Sequence, residues 1–204
     1  MLDRLKPAGY FAIIYSIMII PFLLMRLLFG PFHDAVGFMS VIQIYFHVFY
    51  VALYVYMFST LRILLEDHFN FFDVSRLITR LIIIQYASVI FDIVTLIFVP
   101  FFPLAGMIRY LVSIIMLALY FIVLLVFAIK LLWLNDNLFG MLKPFSYTAI
   151  AIPLYFYTVV LIPVGIVFKV VNSIILSIIF FRAAKELGND KREESANKSI
   201  ILTK

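Results

Sequence analysis

The chain has 204 residues, 66% of them hydrophobic and only 13% charged, with a mean hydropathy of +1.15. Soluble domains run at about 45–50% apolar and about 25% charged, so a water-soluble globule of this size is excluded, as is extended disorder outside the tail. The formal net charge is +5 and cysteine is absent; a disulfide framework, thiol catalysis and Cys-held metal centres are therefore excluded.

Arg4 and Lys6 precede an apolar run from Tyr10 to Phe29. That run is longer than the roughly 7–15 residues of a secretory h-region and shows no Ala-x-Ala cleavage site, so it reads as a retained first span, about 9–29. Ala8 and Ala12 are spaced for close helix contact. Arg26 lies near the far end of this span, and His33 and Asp34 fall in the polar turn after it, where they read as solvated.

The second span covers about 39–63. Gln43, His47, Tyr50 and Tyr54 recur along it at spacings of four, three and four, one helical face. The third span covers about 81–102, and Gln85, Ser88, Asp92 and Thr95 form a matching stripe. At a 1.5 Å rise, Asp92 lies about 16 Å from one end of its span and His47 about 13 Å from the opposite end of its own. The two are expected at similar depth, near the midplane, as a buried hydrogen-bonded pair. Ionisable groups at such depth cost about 2.5–3.5 kcal/mol on insertion scales and suggest function. The pair fits a proton relay or a cation site. The competing role is adhesive, since helices in lipid also associate through hydrogen bonds. A metal is not expected: no further His, Asp or Glu stands at a supporting helical spacing.

The fourth span covers about 108–132 and carries Arg109 near its start. The apolar stretch from Phe145 to Ala184 is too long for one helix and has Pro163 and Gly165 near its middle. It predicts spans at about 145–163 and 164–186, with Lys169 near the start of the sixth. A five-span alternative leaves this stretch tilted or half re-entrant around Pro153 and Pro163. Arg109 and Lys169 read as snorkelling cations, or as paired cations of an outer vestibule. Ser173 and Ser177 offer a second small-residue contact. The links at 66–80 and 135–146 mix aromatic and charged residues, as interfacial segments or helix extensions do. Residues 188–204 form a polar tail, expected to be mobile or to dock as a strand.

Residues 103–121 align without a gap onto 163–181, matching Pro103 to Pro163, Arg109 to Lys169 and Ser113 to Ser173. Pro31 and the Ser40-Val41-Ile42 run echo this more weakly, which suggests three tandem helix hairpins. Thirteen of the 16 basic residues fall on one side: Arg4, Lys6, Arg62, Arg76, Arg80, Lys130, Lys143, Arg182, Lys185, Lys191, Arg192, Lys198 and Lys204. Positive loops stay cytoplasmic, so both termini are expected inside, most plausibly of an inner or plasma membrane. This topology also accounts for the basic excess without a nucleic-acid partner.

The fold expected is thus an all-α, polytopic membrane bundle of six transmembrane helices (residues 1–187) with a cytoplasmic tail. No Gly-x-Ser-x-Gly elbow, His-Glu-x-x-His or Walker loop is present, and no loop is long enough for a soluble catalytic domain. Neither enzyme activity nor a cofactor is expected. Two classes remain. One is a non-catalytic component that works by association with partner membrane subunits or with itself, and the sequence leans this way. The other is a small-solute or proton-coupled transporter, or its binding subunit, built around His47 and Asp92. What separates them is whether the second and third helices enclose a cavity.

Overall fold

A backbone facing lipid finds no water to bond its N–H and C=O groups, so an apolar chain of this composition satisfies them inside each segment as helix. The computed structural model describes residues 2–28, 38–98, 104–134, 136–158 and 161–202, with side chains throughout except at 24–28, 38–40, 96, 104–106, 110 and 190–202. Among the described residues six helices run in order: α1 (Leu2–Leu28), α2 (Phe38–Asp67), α3 (Ser75–Phe98), α4 (Leu104–Leu131), α5 (Leu142–Tyr157) and α6 (Ile162–Leu202). No strand occurs among the described residues. Pro7, Pro21 and Pro153 lie inside helices, where each removes one backbone donor without ending the helix.

Five of the helices, all but α5, are long and apolar enough to cross a membrane. α5 has 16 residues, about 24 Å, short of a hydrocarbon core of about 30 Å. The helices form a closed ring. Each packs on its neighbours in sequence and α6 returns to α1; among the described residues no pair packs across the ring. Side chains fill the interior instead. Tyr54 of α2 meets Tyr120 of α4 edge to face, and Phe58 meets Phe127. The outer surface remains apolar, with Ile17, Ile83, Ile90, Ile97, Leu111, Ile122 and Val167 exposed. So large an apolar girdle is what a bilayer covers.

The two ends of the ring differ. The basic end carries the start of α1 and the links after α2 and α4. Its core is closed by Leu61, Leu64, Leu65, Ile78, Leu81, Phe127 and Phe145, all fully buried. There the α4–α5 link takes three successive left-handed residues, Leu138, Phe139 and Gly140. Leu138 is buried, Phe139 stacks on His68 and meets Phe69 edge on, and Arg182 of α6 donates a 2.8 Å hydrogen bond to the Phe139 carbonyl. These contacts hold a conformation that costs a non-glycine residue about 1–2 kcal/mol. At the opposite end, which carries the links after α1 and α3 and is termed the site end, the α5–α6 hairpin is short. Phe156 and Tyr157 close α5 against Phe121, which lies 17 residues, about 26 Å, into α4.

Several expectations change. Of the links at 66–80 and 135–146, residues 66–67, 75–80 and 142–146 extend helices, whereas 68–74 and 136–141 form the non-helical turns. α1 starts at Leu2, not near residue 9. The tail is neither strand nor irregular, since α6 runs on as helix to Leu202, about 60 Å in all. Its polar residues after Gly188 carry good helix formers and no proline, so nothing in the chain stops the helix where the apolar stretch ends. Ala8 and Ala12 are fully buried, Ser173 and Ser177 nearly so. α1 packs on α6 there, with Phe181 lying over Gly9 and edge-on to Tyr10. The expectations for His33, Asp34, Pro31 and Pro103, and for the side chain of Arg26, concern positions outside the described ones.

Candidate functional site

The polar stripes of α2 and α3 face one another. His47 Nδ1 lies 2.9 Å from Oδ2 of Asp92, in donor position. The second carboxylate oxygen, Oδ1, accepts a 3.2 Å hydrogen bond from Nε of Arg109 on α4. Three adjacent helices therefore meet at one carboxylate, and both of its oxygens are engaged. Asp92 is 7% exposed and His47 6%. Such a charge is tolerated only when paired and hydrogen-bonded, and Arg109 supplies the pairing cation.

Arg109 thus departs from the vestibule role expected of it. It sits about 8 Å from the start of α4, and the length of its side chain lets the guanidinium reach Asp92. Lys169 departs as well. It is about 10 Å into α6, and its ammonium lies 5.3 Å from the ring centre of Tyr50 and 6.0 Å from that of Tyr120. A cation between two aromatic faces gains from both ring quadrupoles. Asp92 stands six residues, about 9 Å, from the end of α3, and His47 nine residues, about 14 Å, from the start of α2. The cluster belongs to the site-end half of the ring.

Beside the cluster lies a cavity of about 80 Å³. Five helices line it: Phe22 from α1; His47 and Tyr50 from α2; Ile84, Gln85, Ser88, Phe91 and Asp92 from α3; Ser113, Met116, Leu117 and Tyr120 from α4; and Lys169 from α6. It runs about 12 Å along α3, from Asp92 down to Ile84. A second void of about 10 Å³ adjoins the cluster on the side of Gln43, Ile44 and Arg109. Of the residues singled out by sequence, Gln43, His47, Tyr50, Gln85, Ser88, Asp92, Arg109 and Lys169 are brought around these two spaces. Thr95 turns back to bond the Phe91 carbonyl, and Tyr54 lies in the aromatic core.

Tyr15, Tyr120 and Phe22 were not anticipated. Tyr15 stacks on Tyr50 and their hydroxyls are hydrogen-bonded; Phe22 stacks on Tyr50 and touches the His47 ring. A signal existed: membrane tyrosines favour the interfaces, whereas Tyr15, Tyr50, Tyr54 and Tyr120 lie well inside their helices. The Ser146 hydroxyl is buried with no hydrogen-bond partner among the described residues. No group of three or more His, Cys, Asp or Glu able to hold a metal occurs among the described residues.

What the arrangement can do follows from its parts. A fixed carboxylate, an imidazole in contact with it and two further cations border a space for a few waters or one small ion. Groups of these kinds hold charge and exchange protons. No protein-family model, curated protein or solved structure matches this chain.

Proposed function

We propose that this protein is a multi-pass membrane protein that passes a small polar solute or protons across the bilayer by way of the His47–Asp92–Arg109 cluster. The observation that carries this reading is the cavity: helices α2, α3 and α4 meet at a buried carboxylate and still leave about 80 Å³ beside it. Helices joined only for adhesion gain from closing such a space, because dispersion contacts are what hold helices together in lipid.

The topology that goes with this reading is three hairpins, α1–α2, α3–α4 and α5–α6, with the basic end cytoplasmic. Exposed Arg4, Lys6, Arg76, Arg80, Lys143, Arg182 and Lys185 all lie there. Both termini share that side whether the short α5 crosses fully or turns back within the bilayer.

The test is flux of protons and small ions in vesicles reconstituted with the full chain. Wild type is expected to exceed empty vesicles, and Asp92→Asn to lose most of that excess while still folding. Flux equal to empty vesicles for wild type, with Asp92→Asn losing only thermal stability, returns the cluster to the role of helix adhesive. The assembly reading has its own support: α6 continues as helix about 22 Å beyond Leu187. Co-purification of a stoichiometric membrane partner that is lost on truncation after Leu187 would favour it.

A further inference from the structure

We infer that the outward face of α3 at the basic end is a binding site for one anionic phospholipid, with Arg76 and Arg80 holding the headgroup phosphate and Ile83 and Ile90 bordering the acyl chains. The inference concerns the outer surface of the ring and stands whatever the cavity carries.

The helix places the parts. Among the described residues α3 packs on α2 and α4 alone, so its outer side is open. Arg76, Arg80, Ile83, Ile90, Val94 and Ile97 follow at spacings of four, three, seven, four and three, one helical face, and all are exposed. Phe72, 62% exposed, stands four residues before Arg76 in the turn that leads into the helix. From Arg80 to Phe98 is 18 residues, about 27 Å, close to the roughly 30 Å of a hydrocarbon core. The two guanidinium groups therefore belong to the headgroup level and the isoleucines to the acyl chains beneath it. Ten residues separate Arg80 from Ile90, about 15 Å, the depth of one leaflet.

Charge selects the lipid. Arg62 of α2 donates to the Thr79 hydroxyl of α3 at 3.2 Å, but its charge is matched by Glu66 at 3.0 Å. Arg76 and Arg80 make no ion pair among the described residues, and Asp73, three positions before Arg76, is bonded to neither. Two guanidinium groups one helical turn apart suit the oxygens of a phosphate, which arginine grips in bidentate fashion. A choline or ethanolamine headgroup brings its own cation, so a headgroup of net negative charge gains most. α1 offers the comparison. Lys6 heads a similar exposed stripe through Tyr10, Ile13, Ile17 and Ile20. It brings one ammonium, a point charge without the planar fork, and Asp3 stands three residues before it.

The test is thermal unfolding of the detergent-solubilised full chain, titrated with phosphatidylglycerol or with phosphatidylcholine of the same acyl chains. A saturating rise in Tm with phosphatidylglycerol, reached at lower lipid concentration than with phosphatidylcholine, is expected, since a ligand that binds only the folded state stabilises it. Arg76→Gln with Arg80→Gln should weaken the apparent affinity for phosphatidylglycerol about tenfold. Arg4→Gln with Lys6→Gln removes the same charge from the same end and should leave that affinity unchanged. Identical titrations for the two lipids in wild type overturn the inference. So does an affinity that the change at Arg76 and Arg80 leaves intact, or that both double variants lower alike, the mark of a diffuse basic surface. Equal stabilisation by soluble glycerophosphate overturns it as well, because the site then takes a free anion and not a lipid. Should the Arg76 and Arg80 double variant fail to fold, the single changes Arg76→Gln and Arg80→Gln decide: each is expected to weaken phosphatidylglycerol binding, and unchanged affinity in both overturns the inference.

Discussion

Asp92 is where the physics is most demanding, because a charge on an apolar helix stands only if its partners stand with it. Removing one member of a buried pair typically costs about 3–5 kcal/mol, since the other is left uncompensated. Asp92→Ala is therefore expected to lower stability by about 3 kcal/mol, and Asp92→Ala with Arg109→Ala to cost less than the sum of the two single changes. Additive losses in denaturant or thermal unfolding would deny the coupling. Ser146 predicts the opposite sign. Its hydroxyl is buried without a hydrogen-bond partner among the described residues, so Ser146→Ala should be neutral or stabilise by up to about 1–2 kcal/mol. A clear loss of Tm would show that the hydroxyl has a partner in the native protein. The Thr148 hydroxyl donates to the Asn172 side-chain oxygen at 2.8 Å across α5 and α6. Thr148→Val should cost only about 0.6 kcal/mol, the usual worth of one such bond between helices in lipid.

At the scale of elements, two contacts set how helices approach. A Cβ added at Gly9 would lie 2.8 Å from the ring of Phe181. Gly9→Leu should therefore push α6 off α1 and cost about 1–3 kcal/mol, as overpacking does; unchanged unfolding would mean that Phe181 swings clear. The left-handed run at 138–140 joins the two links of the basic end to α6 through Phe139 and Arg182. Gly140→Ala adds a Cβ at φ +80 and is expected to destabilise by about 1 kcal/mol. Arg182→Met keeps most of the stem but loses the bond to the Phe139 carbonyl. It should speed hydrogen exchange in the links while leaving the site end unaffected.

Inside the ring, the site end is polar and the basic end apolar. Charged and hydroxylated side chains gather between His47 and Tyr120, whereas Phe58, Phe127, Phe145 and the leucines below them close the basic half. Under the proposed permeation reading, a solute beside Lys169 still meets that seal, and the basic end has to open. Amides of α2 and α3 in the segments 57–65 and 77–82 are thus expected to exchange faster in the presence of a transported ion than in its absence. Equal rates with and without the ion would mean that this seal does not move.

What the sequence determined by itself is what depends on composition and on period. Apolar runs of about 20 residues can be nothing but helices in lipid, and the three-and-four spacing of Gln43, His47 and Tyr50, like that of Gln85, Ser88 and Asp92, assigns each polar group to one face. The meeting of His47 with Asp92 followed from equal depth on sequential antiparallel helices. What only the tertiary structure decided is where side chains of non-sequential helices converge. Arg109 and Lys169 lie near their helix starts and have the same local sequence context whether they snorkel outward or turn in. The choice rests on ring closure by α6 against α1, which carries Lys169 between Tyr50 and Tyr120, and on helix ends that no periodicity marks. Helix bounds shifted for a related reason: α3 starts at Ser75 and α1 at Leu2 because a helix continues past its apolar stretch wherever nothing stops it, and a hydropathy window does not see that.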